Sequence, residues 1–318
     1  MRTRLTSVTT PSWRRVTLTG GARVELMSAG RTDADPLLFL HGWGLTPRAY
    51  AGAVVRLTAA GVKVWAPSLP GFGGSSTVSV TAGLTEYADR IAALLDELDP
   101  VKPVFVVGHS LGGGVALRLA TRRPDLVRSL TLVNPVGGRP SRGTGTMIQG
   151  SWTRWLVGAM TELDPREWML PHVLPRVLRD VGRNLARHPV RAAVAAYVAL
   201  SASLADEAHE LVDSGVPTLF VWGDRDRLTL PGDMAHAVAG LGEVGAEIVK
   251  GRHGWMLSEP AEFARVLQDA LVVHALLERA RRHQPRPETG ALRLPPGTTL
   301  SDLFPPERRH RARHTPPV

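Results

Sequence analysis

The 318-residue chain has no cysteine. Disulfides, thiolate zinc sites and cysteine nucleophiles are therefore excluded. No run of the sequence approaches the roughly 18 consecutive apolar residues of a membrane span. The opening stretch, Met1 to Arg15, is polar and basic and lacks an apolar core, so it does not read as a secretory signal. The cytoplasm is the default expectation. No phosphate-binding Walker loop occurs, and no histidine–carboxylate set has metal-ligand spacing. The glycine pattern at Gly240, Gly242 and Gly245 follows a predicted helix and precedes a strand, the reverse of a dinucleotide site, and reads as a turn. Neither a cofactor nor a metal is expected.

The charge is +9, but it is unevenly placed. From Arg279 to Val318 nine arginines stand against Glu288, Asp302 and Glu307, so six of the nine net positive charges lie there. The body is close to neutral, which argues against nucleic acid as its partner. The segment 283–318 is rich in proline and arginine and poor in apolar residues. It is expected to be disordered, with at most a weak contact to an anionic surface.

The rest of the chain reads as alternating strands and helices. Glycines 20 and 21 separate two short strands, a hairpin pattern. Apolar strands follow at 37–40, 62–66, 103–107 and 127–133, with helical stretches at 50–60, 84–98 and 113–123 between them. Such alternation predicts a mostly parallel, eight-stranded α/β sheet covered by helices on both faces. The alternation pauses after Asn134-Pro135. Residues 147–212 read as helices without a strand, and the pattern resumes at 216–222, 231–239, 246–249 and 260–282. The organisation expected is a core of 1–136 and 213–282, a helical insertion at 137–212 and a tail at 283–318.

Gly108-His109-Ser110-Leu111-Gly112 lies between a predicted strand and a predicted helix. That strand–turn–helix context exposes the serine at the carboxyl edge of the sheet and turns the next amide, at Leu111, toward the same space. A serine hydroxyl needs a neighbouring base, and the base needs an acid to hold its tautomer. Two aspartates, Asp224 and Asp226, follow the 216–222 strand; the reading favours Asp226, with the other as a turn cap. His253 follows the last strand in a glycine-flanked loop, and His236, His274, His310 and His314 sit in helices or the tail. The loop after the 37–40 strand, His41-Gly42-Trp43-Gly44, can curl so that the Trp43 amide faces Ser110.

These motifs, together with Pro67 to Ser75, Gly223-x-x-Asp226 and Glu259-Pro260, resemble the α/β-hydrolase superfamily in its helical-cap form. The likeness spans about residues 20–275. It implies Ser110 as nucleophile, His253 as base, Asp226 as acid, and the Trp43 and Leu111 amides as an oxyanion hole. Such proteins usually carry aspartate where Ser68 stands. The serine at 110 separates the chain from members with an aspartate nucleophile, the haloalkane dehalogenases and epoxide hydrolases.

The expected activity is hydrolysis of a carboxylic ester or thioester through an acyl-enzyme, on a small, apolar acyl substrate. Acyl transfer, carbon–carbon hydrolysis and perhydrolysis use the same residues, and a ligand receptor or scaffold is the reading from another class. Trp152, Trp155 and Trp168, in the insertion, are candidates to line an acyl pocket. If the body alone does the chemistry, deleting residues 284–318 leaves p-nitrophenyl ester turnover within about twofold of the full chain; a steady-state assay of both proteins checks this.

Overall fold

The computed structural model describes residues 10–137, 170, 173–202, 210–211, 214–229 and 245–283. The proposed tryptophan lining at 152, 155 and 168, the predicted 231–239 helix and the tail beyond His283 lie outside them. Eight strands form one sheet: β1 (Ser12–Thr17), β2 (Arg23–Ala29), β3 (Pro36–Leu40), β4 (Lys63–Pro67), β5 (Val104–His109), β6 (Val127–Val133), β7 (Thr218–Gly223) and β8 (Gly245–Val249). Their order is β1-β2-β4-β3-β5-β6-β7-β8. β2 runs antiparallel to both of its neighbours, and every other pair is parallel.

Helices α1 (Ala51–Ala59), α2 (Leu84–Leu98) and α3 (Leu111–Arg122) connect the strands of the first half. Two further helices, α4 (Leu174–Arg187) and α5 (Pro189–Ser201), lie between β6 and β7. The short α6 (Trp255–Ser258) and the long α7 (Pro260–His283) follow β8.

All five residues of β3 are buried, as a strand covered on both faces requires. Alternate side chains serve opposite layers. Leu38 and Leu40 pack with Ile91 and Leu95 of α2 and Val115 and Leu119 of α3. Leu37 and Phe39 pack with Val54 and Leu57 of α1 and Phe263 and Leu267 of α7. The chain leaves β3 toward β4 on one side and later returns to lay β5 on its other side. The strand order therefore reverses between β3 and β5, and open α/β sheets bind ligands at such a switch point, in the crevice at the carboxyl edge.

β5 runs two residues beyond the predicted 103–107 because Gly108 and His109 keep their pairing with Leu132 and Val133. α3 accordingly begins at Leu111, two residues before its predicted start, and the whole turn is the single residue Ser110. So tight a turn leaves no room beside it. A β-carbon on Gly108 would lie 2.3 Å from the Gly112 carbonyl oxygen, and one on Gly112 would lie 2.3 Å from the Leu40 carbonyl oxygen. Both obstacles are backbone, which does not swing aside.

Gly112→Ala should therefore destabilise the fold by about 3 kcal/mol or more. Gly182, exposed within α4 and with nothing within 4 Å of its would-be β-carbon, gives the opposite result. Gly182→Ala should stabilise by about 1 kcal/mol through helix propensity. Urea denaturation of the two variants measures both.

Candidate active site

Ser110 sits between β5 and α3 with φ 54° and ψ −118°, a conformation costing a non-glycine residue about 1–3 kcal/mol. The strain is held from three sides. The Ser110 N–H donates to the Val133 carbonyl at 3.0 Å, and its own carbonyl accepts from the amides of Gly113, Gly114 and Val136. Over-determined backbone of this kind is a mark of functional positions.

His253 follows β8, and its Nε2 lies 2.8 Å from Ser110 Oγ. Its Nδ1 lies 2.9 Å from Oδ2 of Asp226, in the loop after β7. All three residues are buried. The carboxylate only accepts, so Nδ1 carries the proton and Nε2 presents its lone pair to the serine hydroxyl. The structure thus brings together Ser110, His253 and Asp226. Asp224, the competing acid, turns away: its Oδ1 accepts the Gly251 amide at 2.9 Å.

Burial raises the proton affinity of the Asp226 carboxyl, but its donors outweigh it. The charge and N–H of His253, the Thr229 hydroxyl at 2.6 Å and the Thr229 amide bring its pKa down to about 2. The Leu228 amide adds a bond at 2.8 Å and the Asn134 side-chain amide another. Asn134 also accepts from the Trp255 indole N–H at 3.0 Å, which fixes its amide with the NH2 toward Asp226. The sequence reading gives Asn134, Thr229 and Trp255 no part in the site. Asn134-Pro135 registers there only as the end of a strand, although a buried asparagine with φ 44° needs a reason.

A second polar chain lies behind the first. The Gly42 amide donates to Tyr50 Oη at 3.1 Å, Tyr50 Oη lies 2.8 Å from His109 Nδ1, and His109 Nε2 lies 3.1 Å from the His253 carbonyl. A carbonyl only accepts, so Nε2 of His109 holds the proton and the Tyr50 hydroxyl donates to Nδ1. The loop after β3 and the loop of His253 are thereby tied through one neutral imidazole. Trp43 lies in the former loop, and Leu111 is the first residue of α3, where helix amides have no intrahelical acceptor.

Ser68 is held by a carboxylate far away in sequence. Glu25 of β2 accepts from Ser68 Oγ at 2.9 Å, from the Gly74 amide at 3.1 Å and from both terminal nitrogens of Arg48 at 3.1 Å. Burial opposes its ionisation, yet the guanidinium and these donors hold its pKa below the ordinary value.

The sequence profile of the alpha/beta hydrolase family matches residues 37–266. The chain belongs to this family. A provisionally named non-heme haloperoxidase of Mycobacterium phage D29 is 28% identical to this hydrolase over 265 residues, covering 81% of this chain and 94% of the phage protein. A pimeloyl-[acyl-carrier protein] methyl ester esterase of Aromatoleum aromaticum is 43% identical over 97 residues, covering 30% of this chain and 36% of the esterase. Among solved structures, a bacterial membrane phospholipase A superposes with a TM-score of 0.70 at 24% identity, over 83% of this chain and 87% of that one. At that identity the likeness speaks for the fold. Among the described residues, no helix is long and apolar enough to cross a membrane, and no group of three or more histidines, cysteines and carboxylates could hold a metal ion.

Two buried imidazoles make the stability of this alpha/beta hydrolase depend on pH. Burial lowers the pKa of His109 to about 3 and of His41 to about 4, from an ordinary 6.5. Below pH 6.5 the unfolded chain takes up protons that the native state refuses, so stability drops as the pH is lowered. The expected slope between about pH 6 and pH 4.5 is roughly 1 kcal/mol per pH unit for each imidazole. In urea titrations across that range, His109→Gln should remove about half of the slope.

Proposed function

We propose that this alpha/beta hydrolase cleaves a carboxylic ester or thioester through an acyl-enzyme on Ser110. The observation that supports the reading most directly is the unbroken line of contacts from Ser110 Oγ through the His253 ring to Asp226, at 2.8 and 2.9 Å. Ser110 Oγ attacks the acyl carbonyl as its proton passes to His253 Nε2. Asp226 stays ionised and steadies the imidazolium that forms. The Trp43 and Leu111 amides receive the charge on the carbonyl oxygen, a role in which one donor is worth about 10²–10³ in rate. His253 then returns its proton to the leaving alcohol or thiol. Water repeats the sequence on the acyl-serine and releases the acid and the free hydroxyl.

In this reading the insertion at 137–212 is a cap over Ser110, and the substrate is a small molecule with an apolar acyl group. The esterase relative supports ester chemistry. The haloperoxidase relative favours one variation. Hydrogen peroxide in place of water would attack the same acyl-serine, leave as the peracid and restore the serine, with no cofactor and no separate oxidant.

A fluorophosphonate probe should label the wild-type protein at Ser110, and the protein should turn over short p-nitrophenyl esters. Ser110→Ala should abolish labelling and lower turnover by at least about 10³-fold. Mass spectrometry of the labelled peptide and a steady-state assay test this; ester turnover that survives the substitution refutes the mechanism.

A further inference from the structure

Two helices that carry none of the reacting groups fasten the loop after β3. Asp180 and Asn184 lie one turn apart on the same buried face of α4. Asp180 Oδ2 accepts from the Thr46 amide at 3.0 Å and from the Thr46 hydroxyl at 2.6 Å. Asn184 donates to the Gly44 carbonyl at 2.9 Å, and its Oδ1 accepts the Gly73 amide at 3.0 Å. The Trp43 indole N–H donates to the Ala192 carbonyl of α5 at 2.8 Å. Four hydrogen bonds thus run from α4 and α5 to residues 43–46, and a fifth ties the same asparagine to the loop at 70–75.

The segment they hold has little stiffness of its own. Gly42 and Gly44 flank Trp43, and Gly44 has φ 76°. Glycines lose more conformational freedom on ordering than any other residue, so such a loop keeps one shape only when its surroundings impose it. Oxyanion stabilisation depends on donors that are already aimed before charge develops. A misplacement of about 1 Å can cost on the order of 10²-fold in rate.

We infer that Asp180 and Asn184 are positioning residues for the proposed reaction: by clamping residues 43–46 they aim the Trp43 amide, so the oxyanion hole is complete only while α4 and α5 are docked. The inference rests on the serine-ester reading of the site. It makes the α4–α5 pair a structural part of the transition-state site as well as a cover. Because the clamp acts on a donor used in the transition state, its loss lowers kcat and leaves ground-state binding nearly intact.

The experiment uses the full chain and begins with wild type, measured for fluorophosphonate labelling and for p-nitrophenyl butyrate turnover. Asp180→Ala and Asn184→Ala should then lower kcat by about ten- to a hundredfold with KM within about threefold. An alkylboronic acid, which forms a tetrahedral adduct on the serine, should weaken in proportion to kcat/KM, while inhibition by butyrate stays the same. Asp180→Asn keeps an oxygen facing Thr46 and should recover most of the loss. Thr46→Val removes one of the two donors to Asp180, and with it a long 3.4 Å bond from the Arg48 amide, with little change of volume; it should give a smaller fall of the same signature, and it serves if the alanine variants do not fold. Wild type that labels and turns over, with kcat of these variants within twofold of it, overturns the clamp alone. So does a rise in KM at constant kcat. Wild type that neither labels nor turns over overturns the clamp and the serine-ester reading together.

Discussion

A carboxylate buried as deeply as that of Asp226 persists as an anion only if the protein surrounds it with donors. Five converge on it, from Asn134 after β6, from Leu228 and Thr229 in its own loop, and from His253 after β8. This one requirement orders much of the crevice. It sets the amide of Asn134, which in turn engages the Trp255 indole at the start of α6. It also fixes the proton of His253 on Nδ1, and so leaves Nε2 free to accept from the serine hydroxyl. The direction of every bond along the line follows from a single buried charge.

A steric constraint complements the electrostatic one. The approach of Gly112 to the backbone of Leu40 brings the end of β3 against the start of α3. The loop holding Trp43 and the apex holding Ser110 therefore emerge side by side, although some 65 residues separate them in sequence. The Tyr50–His109 chain then ties that loop to the backbone of His253. Charge sets the orientation of the side chains, and close packing sets the separation of the loops that carry them.

Much of this was legible in the amino-acid sequence, for identifiable reasons. Buried parallel strands such as Leu37–Leu40 and amphipathic helices such as Leu84–Leu98 carry periodic patterns, and the tight turn at Ser110 demands glycine at fixed offsets. Those features are local, and so were readable. The partners of Asp226 were not. Asn134 and Thr229 contribute through contacts across the sheet, and an asparagine or threonine in a loop carries no pattern that distinguishes it from an ordinary turn residue. The same holds for Glu25. Its sequence neighbours announce only a strand of alternating polarity, whereas its role is set by Ser68, Gly74 and Arg48, brought to it by the β2–β4 pairing. Asp180 and Asn184 were hidden for a further reason: in an arginine-rich helix, two polar residues read as part of the solvent face until the fold turns them inward.

The carboxylate that steadies Ser68 and Gly74 comes from β2, so the amino-terminal hairpin does more than edge the sheet. Here the loop from Pro70 to Ser75 leans on a side chain of β2, and the same glutamate grips Arg48 beside the Trp43 loop. The hairpin thus underpins the 70–75 loop and Arg48, so fusion partners, tags or shortened starts that disturb residues 12–29 would reach the candidate site through Glu25, without touching Ser110, His253 or Asp226.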